Sequence, residues 1–187
     1  MRWTKPLFLL VIVIAAAGTI YALRRPAPVV NAPPRPGPIM ALGDSLTAGY
    51  GASAGMDYPT QLAEIIGRPV INCGVSRETV AQAARRLQTD VINRHPGIVI
   101  VLLGGNDLLQ QKNLDQSFAD LKTLVQAIQS DGAIVVLVGL NGLTHLSSVA
   151  DRYKKLASET GCLYVPNILH GILGQRHLMR DQVDGGG

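Results

Sequence analysis

The chain has 187 residues, enough for one ordinary domain and an extension. Hydrophobic residues make up 47% of it and charged residues only 16%, which excludes an intrinsically disordered chain. Much of the net charge of +4 comes from basic residues near the amino terminus, and no Lys/Arg patch is interleaved with aromatics, so no nucleic-acid partner is expected.

Arg2 and Lys5 precede an uncharged, mostly apolar stretch from Pro6 to Leu23, which Arg24 and Arg25 close. As a helix it would measure roughly 27 Å, just enough to span a bilayer. No convincing small-x-small cleavage site precedes Arg24, so residues 1–25 are expected to be a membrane anchor in preference to a cleaved signal segment. Basic residues on both sides leave its orientation open. On this reading the protein belongs to the bacterial cell envelope. It would be anchored in the inner membrane with its domain in the periplasm, or released there if the segment is cleaved. Residues 26–38, PAPVVNAPPRPGP, are expected to form a stiff, extended tether, and the folded domain to cover 39–187.

Within that domain strand-like and helix-like stretches alternate. PIMALG reads as a first strand and Tyr58 to Ile66 as a helix; PVINCG reads as a second strand and Thr79 to Asn93 as a helix. GIVIVLLGGND carries a continuous Val/Ile/Leu run of the kind buried on both faces of a parallel sheet. Leu114 to Ser130 places Phe118, Leu121, Leu124, Val125 and Ile128 at helical spacing. AIVVLVGL, a helix from Val149 to Thr160, and CLYVPN complete the series. The alternation predicts βαβ units: an α/β fold in three layers, with a five-stranded parallel sheet between helices in a flavodoxin-like arrangement. Cys73 and Cys162 each lie in or beside an apolar run and read as small buried hydrophobes.

In open parallel sheets ligands bind beyond the carboxyl ends of the strands. Here those ends carry Gly43-Asp44-Ser45, Cys73-Gly74, Gly104-Gly105-Asn106-Asp107 and Leu140-Asn141-Gly142. Taken singly each has a plain structural reading. Ser45 and Asn106 suit caps, Asp44 a bond to the local backbone, Gly74 a turn, and Asp107 a helix or loop cap.

Together, GDSLTAGYG, NCGVSRET and LLGGNDLL resemble the first three blocks of the GDSL, or SGNH, hydrolases, the family of thioesterase I/lysophospholipase L1 type enzymes and related arylesterases. The resemblance runs from about Ile39 onward. It implies a serine esterase acting on small acyl esters or thioesters through an acyl-serine intermediate. Ser45 would be the nucleophile. The Ser45 and Gly74 backbone N–H groups and the Asn106 side-chain amide would form the oxyanion hole, where preorganised donors meet developing negative charge. No metal or organic cofactor is implied, and LGGND is not a phosphate-binding loop.

The resemblance also implies a histidine three residues after an aspartate, in a D-x-x-H-P-N block followed by a closing helix. Asp181 stands at the aspartate position, but Asp184 stands where the histidine is expected, and the chain ends in three glycines. A solvated carboxylate is a feeble base toward a serine hydroxyl. His95 precedes the third strand, on the wrong side of the sheet, and His170 follows the fifth. His177, four residues before Asp181, and His145, after the fourth strand, are the candidate substitute bases. The expectation is a domain whose C-terminal His block and helix are missing, as in a truncated or frameshifted hydrolase. The alternatives are a member with weakened activity and an anchored, catalytically silent protein that binds acyl or glycan ligands.

Overall fold

The computed structural model describes residues 28–140 and 147–167. Strand β1 (Ile39–Gly43) is buried at every position. It runs through Asp44 into a single-turn helix, α1 (Ser45–Ala48). Helix α2 (Tyr58–Ile66) starts where the Asp57 carboxylate accepts the Thr60 N–H at 3.0 Å, with Pro59 in its first turn, where a missing N–H costs nothing. Strand β2 (Val70–Gly74) and helix α3 (Val80–Asp90) follow; Gln82 Oε1 accepts the Thr79 N–H at 2.9 Å at the start of α3. The helix is shorter than its apolar pattern suggests. A 3-10 turn, Ile92–Arg94, and His95 at φ 48° break it before Pro96.

Strand β3 (Ile98–Leu102) is also shorter than the run containing it. Gly104, at φ 109°, turns the chain into a short helix, α4 (Gly105–Leu109). Helix α5 (Leu114–Ser130) buries Leu121, Leu124, Val125 and Ile128 and half-buries Phe118. Each such leucine or isoleucine contributes about 2 kcal/mol by leaving water. Strand β4 (Ile134–Val138), helix α6 (Ser147–Thr160) and strand β5 (Leu163–Val165) complete the described fold.

The sheet is parallel throughout, in the order β2-β1-β3-β4-β5. Helix α5 packs between α3 and α6 on one side of it, and α2 packs against β2 and α1. Right-handed crossovers put those two groups on opposite faces, which makes the three layers. Register fixes where the strand ends emerge. Gly43 lies beside Gly74 on one side and Leu102 on the other. The segments after β1, β2 and β3 therefore leave the sheet at one edge, side by side. On the edge strand β5, Leu163 and Val165 share a face and remain 44% and 40% exposed.

One expectation changes. From Val30 onward the proline-rich stretch is not a free tether but part of the folded unit, built into the amino end of the sheet. The Val30 N–H donates to the Gly161 carbonyl at 3.1 Å. Asn31 Nδ2 donates to the carbonyls of Gln129 at 2.7 Å and Ala133 at 2.9 Å. Arg35 donates through Nε to the Pro96 carbonyl at 3.0 Å, and its guanidinium pairs with the backbone carbonyl and carboxylate of Asp131. The reason lies in α5. The last carbonyls of a helix have no partner within it and carry partial negative charge, so an amide and a cation from a distant segment satisfy them.

Candidate active site

Ser45 opens α1 directly after β1, half-buried at the carboxyl edge of the sheet. This tight reversal needs glycine at position 43, where a Cβ would meet the Thr47 side chain and lie 2.7 Å from the Leu102 carbonyl. Among the described residues the Ser45 hydroxyl has no hydrogen-bond partner.

Asp44 supports the serine from behind. Its carboxylate is 3% exposed; Oδ1 accepts the Leu46 N–H at 3.1 Å and Oδ2 accepts Asn106 Nδ2 at 3.3 Å. Burial pushes the Asp44 pKa above its ordinary 3.8, and the charges of Glu78 and Asp107 add to this against the Leu46 N–H. The local-backbone role expected for Asp44 is present, together with a tertiary one that ties β1 to α4.

Asn106 lies in α4, after β3. Besides Asp44, its Nδ2 donates to the Glu78 carbonyl at 3.0 Å, so the amide is held by two separate segments. Asp107, 3% exposed, is a cap, but of a helix far away in sequence. Its Oδ2 accepts the Val80 N–H of α3 at 3.0 Å and its Oδ1 accepts the Ser117 hydroxyl at 2.8 Å. Tyr153 Oη donates to the Leu103 carbonyl at 2.6 Å and fixes the β3–α4 bend from beneath.

Gly74 is placed differently from its expected role as a free donor. Its N–H donates to Asn72 Oδ1 at 2.9 Å, while Asn72 Nδ2 donates to the Thr47 carbonyl at 2.8 Å and to Asp57 at 3.2 Å. A Cβ on Gly74 would run into the backbone of Ala48 and Thr47. Glycine is required here so that α1 can lie directly on β2. Two residues lie inside the NCGVSRET block with no role assigned to them by the resemblance. Arg77 sits at φ 67° in the turn after β2, a conformation that glycine usually supplies. Asn72 shows only as one polar residue in an apolar strand.

Leu46, Tyr50, Val75 and Leu109 stand exposed at this same end of the sheet. A polar groove of about 380 Å³, lined by Thr79, Gln82, Arg85 and Lys112 among others, opens beside Asp107. Among the described residues no cluster of His, Cys, Asp or Glu is arranged to hold a metal ion.

Residues 41–186 match the GDSL-like lipase/acylhydrolase family. The chain belongs to that family. It is a GDSL/SGNH-type hydrolase. Esterase TesA of Pseudomonas aeruginosa is 26% identical over 157 residues, covering 79% of this chain and 77% of its own. Thioesterase 1/protease 1/lysophospholipase L1 of Escherichia coli K12 is 28% identical over 150 residues, covering 76% and 72%. The crystal structure of AlinE4, an SGNH-hydrolase family esterase, superposes with a TM-score of 0.70 at 29% identity, over 79% of this chain and 84% of that one.

The described part of this hydrolase brings Ser45, Asp44 and Asn106 together. His95, the one histidine among the described residues, caps the 3-10 turn before β3, at the amino end of the sheet, 3.8 Å from Asp131. His145, His177, Asp181 and Asp184 lie outside the described residues, as do the apolar stretch 6–23 and residues 1–25 as a whole. Among the described residues no helix is long and apolar enough to cross a membrane.

Proposed function

We propose that the protein hydrolyses small carboxylic esters or thioesters through an acyl-serine on Ser45. The observation that carries this reading is the 3.3 Å bond between Asn106 and Asp44, which ties the GDSL serine turn to the amide-bearing helix at one strand edge. In the reaction Ser45 Oγ attacks the substrate carbonyl carbon and loses its proton to a base. The carbonyl π electrons move to oxygen. The Ser45 N–H and Asn106 Nδ2, which gives up its bond to Asp44, donate to that oxyanion. Gly74 would join them only by releasing Asn72. Collapse expels the alcohol or thiol, which takes the proton, and water then attacks the acyl-serine to release the acid. His177 and His145 are the candidates for the base, with Asp181 as the group that orients it. The exposed Leu46, Val75 and Leu109 give the acyl part an apolar surface to lie on. Aryl esters, short acyl esters, acyl thioesters and lysophospholipids fit this description.

The test is hydrolysis of p-nitrophenyl acetate and butyrate by the full chain, with labelling by a fluorophosphonate. Turnover and labelling are expected in the parent and absent in Ser45→Ala. Of His177→Ala and His145→Ala, the variant that loses turnover identifies the base. Turnover that survives in Ser45→Ala would sink the acyl-serine reading.

A further inference from the structure

The Asn106 amide is held in place by a line of contacts that leads away from the site. Glu78 lies between β2 and α3, and its side chain is 6% exposed. The Arg86 guanidinium meets it in a two-pronged contact, Nε to Oε1 at 2.8 Å and Nη2 to Oε2 at 2.5 Å. Nη2 also donates to the Cys73 carbonyl at 2.8 Å, and Nη1 to Asp90 at 3.1 Å. One guanidinium thereby joins the end of β2, the turn after it, and the body of α3. The Glu78 main-chain carbonyl, in the same stretch, accepts Asn106 Nδ2 at 3.0 Å.

A buried carboxylate persists only when paired and hydrogen-bonded, and an apolar pair of equal volume often stabilises a fold as well. What the ion pair adds is geometry, because the guanidinium fork is planar and fixed. We propose that Arg86 and Glu78 are positioning residues for the oxyanion donor: together they hold the Glu78 carbonyl, which sets the plane of the Asn106 amide against Ser45. This rests on the esterase reading above. Neither residue touches substrate. Lysine at position 86 would keep the charge but could not span Glu78 and Cys73 with a rigid fork.

The test uses the full chain with Arg86→Lys and Glu78→Gln, beside Ser45→Ala, Asn106→Ala and Lys122→Ala, the last breaking an exposed ion pair with Glu159 as a control. Arg86→Lys is expected to lower kcat about tenfold with KM within about twofold, short of the roughly 10²–10³-fold loss from deleting an oxyanion donor. Affinity for a boronic acid, which mimics the tetrahedral oxyanion, should fall by the same factor. The Asn106 side-chain amide signals in ¹⁵N spectra, assigned by their loss in Asn106→Ala, should exchange with solvent faster. Should Arg86→Lys fold poorly, Glu78→Gln, which keeps shape and an acceptor oxygen, carries the same readouts. Unchanged kcat and unchanged amide exchange in a folded variant would overturn the positioning role while Ser45→Ala and Asn106→Ala still remove activity. Full activity in Ser45→Ala would instead overturn the esterase reading and this proposal with it.

Discussion

At the amino end of the sheet, Asn31 and Arg35 occupy carbonyls of Gln129, Ala133, Asp131 and Pro96 that the secondary structure leaves over. At the carboxyl end, Ser45 keeps its hydroxyl without a partner among the described residues, Arg77 holds a left-handed backbone, and Leu46, Val75 and Leu109 face solvent. The same five strands feed both ends. One is closed with donors brought from elsewhere, which stabilises the fold. The other keeps the Ser45 hydroxyl without a partner among the described residues, on a rigid base, which suits chemistry.

The sharpest way to break this comparison is Gly74→Ala. The added Cβ would overlap the backbone of α1, so α1 must move, at a cost of about 1–3 kcal/mol. Both Tm and fluorophosphonate labelling of Ser45 should fall; if neither moves, α1 does not lie on β2 as described. Arg35→Ala probes the opposite end. It should lower stability in urea unfolding by about 1.5 kcal/mol, since Arg35 gives charged donors to the Pro96 carbonyl and to Asp131, and leave kcat unchanged. A drop in kcat equal to that of a site variant would show that the two ends are not separate.

Arg77→Gly should raise stability by up to about 1 kcal/mol, because glycine adopts φ 67° without the Cβ clash. A melting curve that shifts down instead would mean that the Arg77 side chain contributes more than its backbone costs.

The smallest expected effect is on the pH dependence of stability. The folded-state pKa of Asp44 is raised above 3.8, so between that value and the raised one the folded chain binds more protons than the unfolded chain. The Asp44 contribution therefore falls as pH rises through that window and is constant above it. Asp44→Asn should remove this slope. An identical pH profile of Tm in parent and variant would place the titration elsewhere.

Hydrophobic pattern and turn residues made all five strands and the helices from Tyr58 and Leu114 legible, because both signals are local. The boundaries that moved, at Asp90 and Leu102, lie where a turn interrupts an apolar run that looks continuous in one dimension. Ser45 and Asn106 were legible as a pair because the blocks GDSLTAGYG and LLGGNDLL, each closing a strand, resemble those of the GDSL/SGNH hydrolases. Their supports were not. Glu78 stands in the turn before the helix that carries Arg86, so no single periodicity links the two, and Asp107 caps a helix that begins at Val80, 27 positions earlier. The composition of 26–38 pointed to a tether because prolines remove backbone donors, while the partners of Asn31 and Arg35 lie 61 to 102 positions further along the chain.

The sequence by itself determined the order of elements, the parallel sheet and the residues at its carboxyl edge, since these depend on near neighbours in the chain. Only the tertiary structure decided which partners the donors there engage. That depends on strand register, which sets Gly43 between Gly74 and Leu102 and so brings Asn72, Glu78 and Asn106 to the same serine turn.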